Sequence, residues 1–209
     1  MIKRAIIITA AILVTSLYAG AQITYGAKIS GGVAYQDVIN NDVISKGSIK
    51  TFNIRAIAQK PTKYGFWLEA GLGIAGKGSV VYNDGLTTTT RLTYIEIPVS
   101  LIRKFKFTDL GIFYLGAGGY LSAGLAGKLD YETPGSNTSD NLKFGNEDDA
   151  RRVDTGMDFS TGFEFQNKVT FNIAYSFGLN NIASNPQQNS GTSVVRNREF
   201  SVGLGYLFK

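Results

Sequence analysis

The chain contains no cysteine and no histidine. Without cysteine, no disulfide holds the fold and no thiolate serves as nucleophile or metal ligand. Without histidine, the commonest general base near neutral pH and the commonest neutral metal ligand are both missing. Beyond the N-terminal segment no stretch reaches the ~20 consecutive apolar residues of a spanning helix, so any membrane crossing has to be made by strands. Charge is close to balance, with 21 Lys and Arg against 16 Asp and Glu. No Lys/Arg run resembles a nucleic-acid patch, and no nucleic-acid partner is expected.

What is present is a period of two. In Gln22 to Tyr35 the odd positions carry Ile23, Tyr25, Ala27, Ile29, Gly31, Val33 and Tyr35, and the even positions include Thr24, Lys28, Ser30 and Gly32. That is a strand period. It returns in Ser48 to Lys60, Tyr64 to Tyr82, Thr90 to Lys104, Gly111 to Leu129, Val153 to Phe165, Val169 to Leu179 and a last strand spanning Glu199 to Phe208. Short turns are expected at Pro61-Thr62-Lys63, Thr108-Asp109 and Gln166-Asn167-Lys168. Long polar loops are expected at Gln36 to Gly47, Asn83 to Thr89, Asp130 to Arg152 and Asn180 to Asn197. Long and short connections therefore alternate, the asymmetry of outer-membrane barrels with their short periplasmic turns and long external loops.

The N-terminus reads as a secretory signal. Lys3 and Arg4 precede an apolar run from Ala5 to Leu17, and Ala19-Gly20-Ala21 supplies the small-x-small pattern of a cleavage site. The expected division is a signal peptide over 1–21 and one barrel domain over 22–209.

One face of each strand is apolar, the other rich in glycine and charge. A charged residue facing lipid near the midplane costs ~2 to 4 kcal/mol, whereas one in a polar lumen can pair. The glycine-rich face, with Lys28, Arg55, Glu69, Lys77, Glu96, Asp158 and Glu164, is therefore assigned to the interior as a network of charges. A barrel of about eight strands is only wide enough for side chains to fill. The expected fold is thus an all-β, eight-stranded antiparallel up-and-down transmembrane barrel with a plugged polar lumen.

At this point the residues resemble a known family. Leu92-Thr93-Tyr94-Ile95-Glu96-Ile97-Pro98-Val99-Ser100-Leu101 is similar to a characteristic strand of the PorT-like outer-membrane β-barrel proteins of the Bacteroidetes. Phe113 to Tyr120, Val153-Asp154-Thr155-Gly156-Met157-Asp158 and Ser201 to Phe208 fall where that family has its glycine-rich fifth strand, its D-x-G sixth strand and its aromatic last strand. The resemblance implies the cell outer membrane, a periplasmic N-terminus, outer-membrane lipids and the barrel assembly machinery as partners, and a protein of an envelope complex for secretion or motility as a further one. It implies little about activity.

Candidate chemistry is weak. Gly71-Leu72-Gly73-Ile74-Ala75-Gly76 matches a dinucleotide pattern, but strand-like Ser79-Val80-Val81-Tyr82 follows where a helix would have to start. Glu69, Glu96, Asp158 and Glu164 could form a glycosidase-like pair, but ion pairing with Arg55, Lys28 and Lys77, which a buried charge demands anyway, is the favoured explanation. Asp130, Glu132, Asp140, Glu147, Asp148 and Asp149 could offer oxygens to Ca²⁺, but lack EF-hand spacing. Most tyrosines and Trp67 are read as interface girdles, with Trp67 and Tyr94 also able to stack on a small molecule. No catalytic, metal or cofactor residues are assigned, and no enzyme activity is expected. The reading is a structural or adhesive barrel, or an accessory to an envelope complex. The alternatives are a narrow channel, a small-ligand-binding barrel of lipocalin type, and a barrel enzyme on lipids, which the missing histidine disfavours.

Overall fold

The computed structural model describes residues 23–39, 45–145, 148–183 and 194–208; the expected signal segment and Glu147 lie outside the described residues. The described residues form ten strands: β1 (Thr24–Ile39), β2 (Ser45–Gly47), β3 (Ile49–Pro61), β4 (Phe66–Asn83), β5 (Leu86–Phe107), β6 (Gly111–Thr133), β7 (Ser136–Leu142), β8 (Val153–Phe165), β9 (Val169–Gly178) and β10 (Val194–Leu207). Eight of them close a ring in chain order, β1-β3-β4-β5-β6-β8-β9-β10, with β10 returning to pair with β1 and every pairing antiparallel. β2 continues the line of β3 along β4, and β7 pairs with β6 outside the ring. Closure leaves no strand edge around the barrel wall, the condition for a sheet surrounded by hydrocarbon.

Register converts the alternation into belts. Ile29 pairs with Ile54, Ile54 with Ile74 and Ile74 with Ile95, so four neighbouring strands present isoleucine at one height on the outside. Above and below lie exposed Phe52, Leu72, Ile97, Leu115, Phe159 and Leu204. So continuous an apolar exterior is far larger than a water-soluble monomer carries. Interior width is managed by pairing large with small. Tyr114 lies opposite Gly162 and Tyr120 opposite Gly156. A Cβ added at Gly162 would come within 2.6 Å of the Tyr114 hydroxyl, and one at Gly156 within 2.5 Å of Tyr120.

At the end opposite the short turns the structure departs from the sequence reading. Asn83 to Thr89 is no long loop: Asp84 (φ 40°) and Gly85 (φ 82°) make a two-residue turn, and β5 starts at Leu86. Both turn residues having positive φ is the type I′ hairpin geometry that Asp-Gly favours. Asp130 to Arg152 likewise is not all loop, because β6 runs to Thr133 and β7 returns over Ser136–Leu142. β1 runs on through Ile39 and β10 starts at Val194, shortening the other two expected loops. The physical reason is common to all of them. Past the lipid both faces of a hairpin meet water, so backbone pairing persists where the apolar alternation that reveals strands is gone.

A bulge marks the boundary. Tyr94 pairs with Gly124 and Thr93 with Ala126, leaving Leu125 as the extra residue. The inside-outside parity of β6 switches there. Beyond it Leu129 packs against buried residues that close the barrel mouth.

Gly162→Val should overpack the Tyr114 site and destabilise the barrel by roughly 1 to 3 kcal/mol in urea unfolding. Gly31→Ala, whose Cβ would meet only Thr51 O at 3.8 Å, should be neutral within error.

Candidate functional site: the charged lumen and its mouths

Each ring strand contributes inward side chains at alternate positions, and their chemistry is layered along the barrel axis. Nearest the short turns, the Lys104 ammonium lies 2.7 Å from Glu164 and donates to Gln59 Oε1 at 2.7 Å. Gln59 in turn donates to Glu69 at 2.8 Å, and Glu69 holds Lys28 at 2.7 Å. Lys104 also sits 4.1 Å from the centre of the Trp67 ring, a cation–π contact.

Deeper in, Lys77 is the hub. Its ammonium is 2.9 Å from Glu96 and 3.1 Å from Asp154, and it stands 3.7 Å from the centre of the Tyr120 ring. Lys77 and Asp154 are 2 % and 0 % exposed, so these charges have only each other and their hydrogen-bond partners in place of water. Glu96 also receives Ser122 Oγ at 2.8 Å and the Arg55 guanidinium at 3.4 Å. Asp154 accepts from Asn197 at 3.0 Å and from the Tyr120 hydroxyl at 3.3 Å. The chain continues through Gln36, which donates to Asn197 at 3.1 Å and accepts from Ser79 at 2.7 Å. Strands β1, β4, β5, β6, β8 and β10 are tied together through this one layer.

Six of the seven residues selected from the sequence, Lys28, Arg55, Glu69, Lys77, Glu96 and Glu164, form ion pairs within the lumen. Asp158 does not: it lines a small cavity with Ser160, Asn172 and Ser176, and has no ion pair among the described residues. That cavity, about 30 Å³, is the size of a water or two rather than of a substrate. The sequence reading left Lys104, Asp154 and Glu199 out of the charge network. All three lie on inward positions of their strands, so the alternation itself was the available signal. Glu199 accepts a hydrogen bond from Asn53.

The other candidates dissolve. Gly71 to Gly76 lies within β4, with no helix start to cradle a phosphate. No group of three acidic residues suited to a metal ion occurs among the described residues, and Asp130 is engaged by Lys128 and Arg91. Hydrogen bonds from Lys128 and Ser139, with the charge of Arg91 nearby, hold the Asp130 carboxyl below the usual range. Tyr94, counted among the girdle aromatics but expected on the inward face, is fully buried inside, edge-on to Phe144 with ring centres 5.7 Å apart.

That contact belongs to a lid. Leu142 at the end of β7, with Phe144 and Ala150 beyond it, packs with Leu92, Tyr94 and Ile182 into an apolar cluster across the mouth. Backbone bonds fix it there: Gly124 N donates to Arg152 O at 2.7 Å, Arg151 N to Ile182 O at 2.8 Å and Ile182 N to Val195 O at 2.9 Å. A segment that reads as featureless polar loop thus holds the few apolar residues that seal one end of the barrel.

A family model described as outer membrane protein beta-barrel domain matches residues 21–184. The chain belongs to this family. As an outer membrane β-barrel it resides in the cell outer membrane, which accounts for the apolar belts. Among solved structures it is similar to Neisserial surface protein A, at 18% identity and a TM-score of 0.48, covering 90% of this chain and 99% of that one. It is also similar to Ail, the attachment invasion locus protein of Yersinia pestis, solved with the heparin analogue sucrose octasulfate, at 14% identity and a TM-score of 0.39, covering 88% and 99%. No curated protein matches.

Within this outer membrane barrel, removing an ion-paired lumen charge and removing an unpaired one should have different effects on stability. Lys77→Met leaves Glu96 and Asp154 buried beside a methionine, and should cost about 3 to 5 kcal/mol in chemical unfolding from detergent micelles. Asp158→Asn removes a charge that has no ion pair, and should leave the midpoint unchanged or raise it.

Proposed function

We propose that this protein is a closed, non-conducting barrel that serves as a structural, adhesive or accessory component of the cell envelope, of the PorT-like kind associated with secretion or motility complexes. Supporting this reading above all is the double obstruction of the lumen, by the Lys77 layer within and by the Tyr94–Phe144 lid at the mouth. A diffusion pore needs a continuous wet path, and here the paired charges and the apolar cluster stand in series across it. Catalysis on lipid or peptide finds no support, since the lumen carboxylates other than Asp158 are tied to cations or amides.

Recognition is then carried by what projects past the lipid. The hairpins β4–β5 and β6–β7 extend as one sheet, bound laterally by Arg91 and Lys128 on Asp130, and offer a polar surface rather than a greasy one. Rigid surface hairpins on a membrane-anchored barrel suit docking to another envelope component or to an external surface. Lipids of the outer membrane hold the belts, and the assembly machinery inserts them.

Planar-bilayer recording on the refolded protein tests this reading. The expected record is flat at molar salt, with folding verified by heat-modifiable migration on a gel. Reproducible single-channel steps would overturn it in favour of a narrow channel.

A further inference from the structure

The short-turn end has an unbalanced charge that neither the membrane nor the lumen uses. Lys60, Lys63, Arg103, Lys104, Lys106 and Lys168 crowd there against Asp109 and Glu164, while Glu69 just inside is taken by Lys28. Glu164 is already taken by Lys104 at 2.7 Å, while Lys63, Lys106 and Lys168 have no ion pair among the described residues. The excess is not spread over a flat rim. Lys104, Lys106 and Lys168 line a cavity of about 560 Å³ that opens at this end, within the size range of ligand pockets. Trp67, Ile112, Phe165 and Leu207 form the apolar part of its wall, and Asp109 and Glu164, the latter paired with Lys104, are the two carboxylates in its lining.

We propose that this mouth binds an acidic peptide segment of a periplasmic partner, with carboxylates set between apolar side chains. The proposal rests on the accessory-barrel reading above, in which the short turns face the periplasm, and names the chemistry of the partner. Charge complementarity supplies the attraction, and Lys106 and Lys168, which have no ion pair among the described residues, give it a direction beside the Lys104–Glu164 pair. The apolar wall separates such a segment from a small inorganic anion, which would gain nothing from Trp67 or Leu207. Position separates it from a bilayer phospholipid. Trp67, Lys104, Ile112 and Leu207 are inward positions of their strands, so most of the bowl faces the lumen side of the wall, with Phe165 the outward-parity member of its apolar lining.

Trp67 is the single tryptophan of the chain, so intrinsic emission reports on this mouth directly. The probe is a hexapeptide alternating glutamate and leucine with a free C-terminus, titrated into the refolded full-length protein in detergent. A saturable emission change is expected, weakening as salt rises from about 50 to 300 mM. In the double variant Lys106→Glu with Lys168→Glu, apparent affinity should fall about tenfold or more. Both side chains lie at the rim, and heat-modifiable migration verifies that the variant is folded. Lys50→Glu, on the far part of β3, should bind as the parent does.

No emission change, or an equal change with the amidated glutamine-leucine counterpart, would overturn the proposal. So would an emission change produced by phosphatidylglycerol bicelles alone that blocks the peptide, which would make the site a lipid site. The two readings fail separately. A conducting barrel would defeat the accessory reading without touching this titration, and a silent titration would leave the closed barrel standing.

Discussion

Hydrocarbon offers no hydrogen bonds, so every N–H and C=O of a strand crossing it must find its partner on a neighbouring strand. From that constraint the rest follows. A sheet with edges cannot satisfy it, a ring can, and here β10 returns to β1 over a register running from Gly26–Leu207 to Ile39–Val194. Once the ring is closed, the two faces of every strand meet different solvents. Phe, Leu, Ile and Val go outward, and what remains must fit a tube about eight strands round.

The narrow tube explains both the glycines and the charges. Tyrosines fit because glycines stand opposite them, and polar groups are kept because they can be matched across the tube. Lys77 is the clearest instance. One ammonium serves Glu96 and Asp154, Arg55 completes Glu96, and Asn197 and Tyr120 complete Asp154. Such a network adds little net stability over an apolar filling, but each member becomes expensive to remove alone. It also links strands far apart in sequence, since Lys77 and Asp154 lie 77 residues apart. The plug and the wall are therefore one construction, which is why closure of the lumen and stability of the barrel belong together.

How much of this was legible in the sequence depended on where lipid enforces contrast. Between the belts, alternation marked eight strands and their faces correctly, down to Thr155, Met157 and Phe159 outside with Asp154, Gly156 and Asp158 inside. Beyond the belts it failed. Leu86 to Thr89 and Ser136 to Leu142 are strands without an apolar alternation, and their polar residues read as loop. Within the lumen, period two tells which face a residue is on but not its height, which depends on the stagger between strands. Lys104 therefore looked like a strand end rather than the partner of Glu164, and Asp158 looked like a member of the ion-paired set although its neighbours are Ser160, Asn172 and Ser176. The lid was hidden for a third reason. Leu142, Phe144 and Ala150 have no periodicity of their own and become a cluster only when the chain folds back over Tyr94.

The central claim is that one parity of each strand faces lipid and the other a sealed polar interior. Because the chain has no native cysteine, single-cysteine variants carrying a nitroxide label report it without background. Labels at Ile97, Leu115 and Leu204 should be relaxed strongly by oxygen dissolved in lipid and weakly by a water-soluble nickel chelate, while labels at Ser100 and Ser122 should be shielded from both. Strong nickel access at Ser100 and Ser122 would mean an open aqueous lumen, and nickel access at Leu115 with shielding from oxygen would mean that the apolar face is not in the membrane; either result would contradict the account.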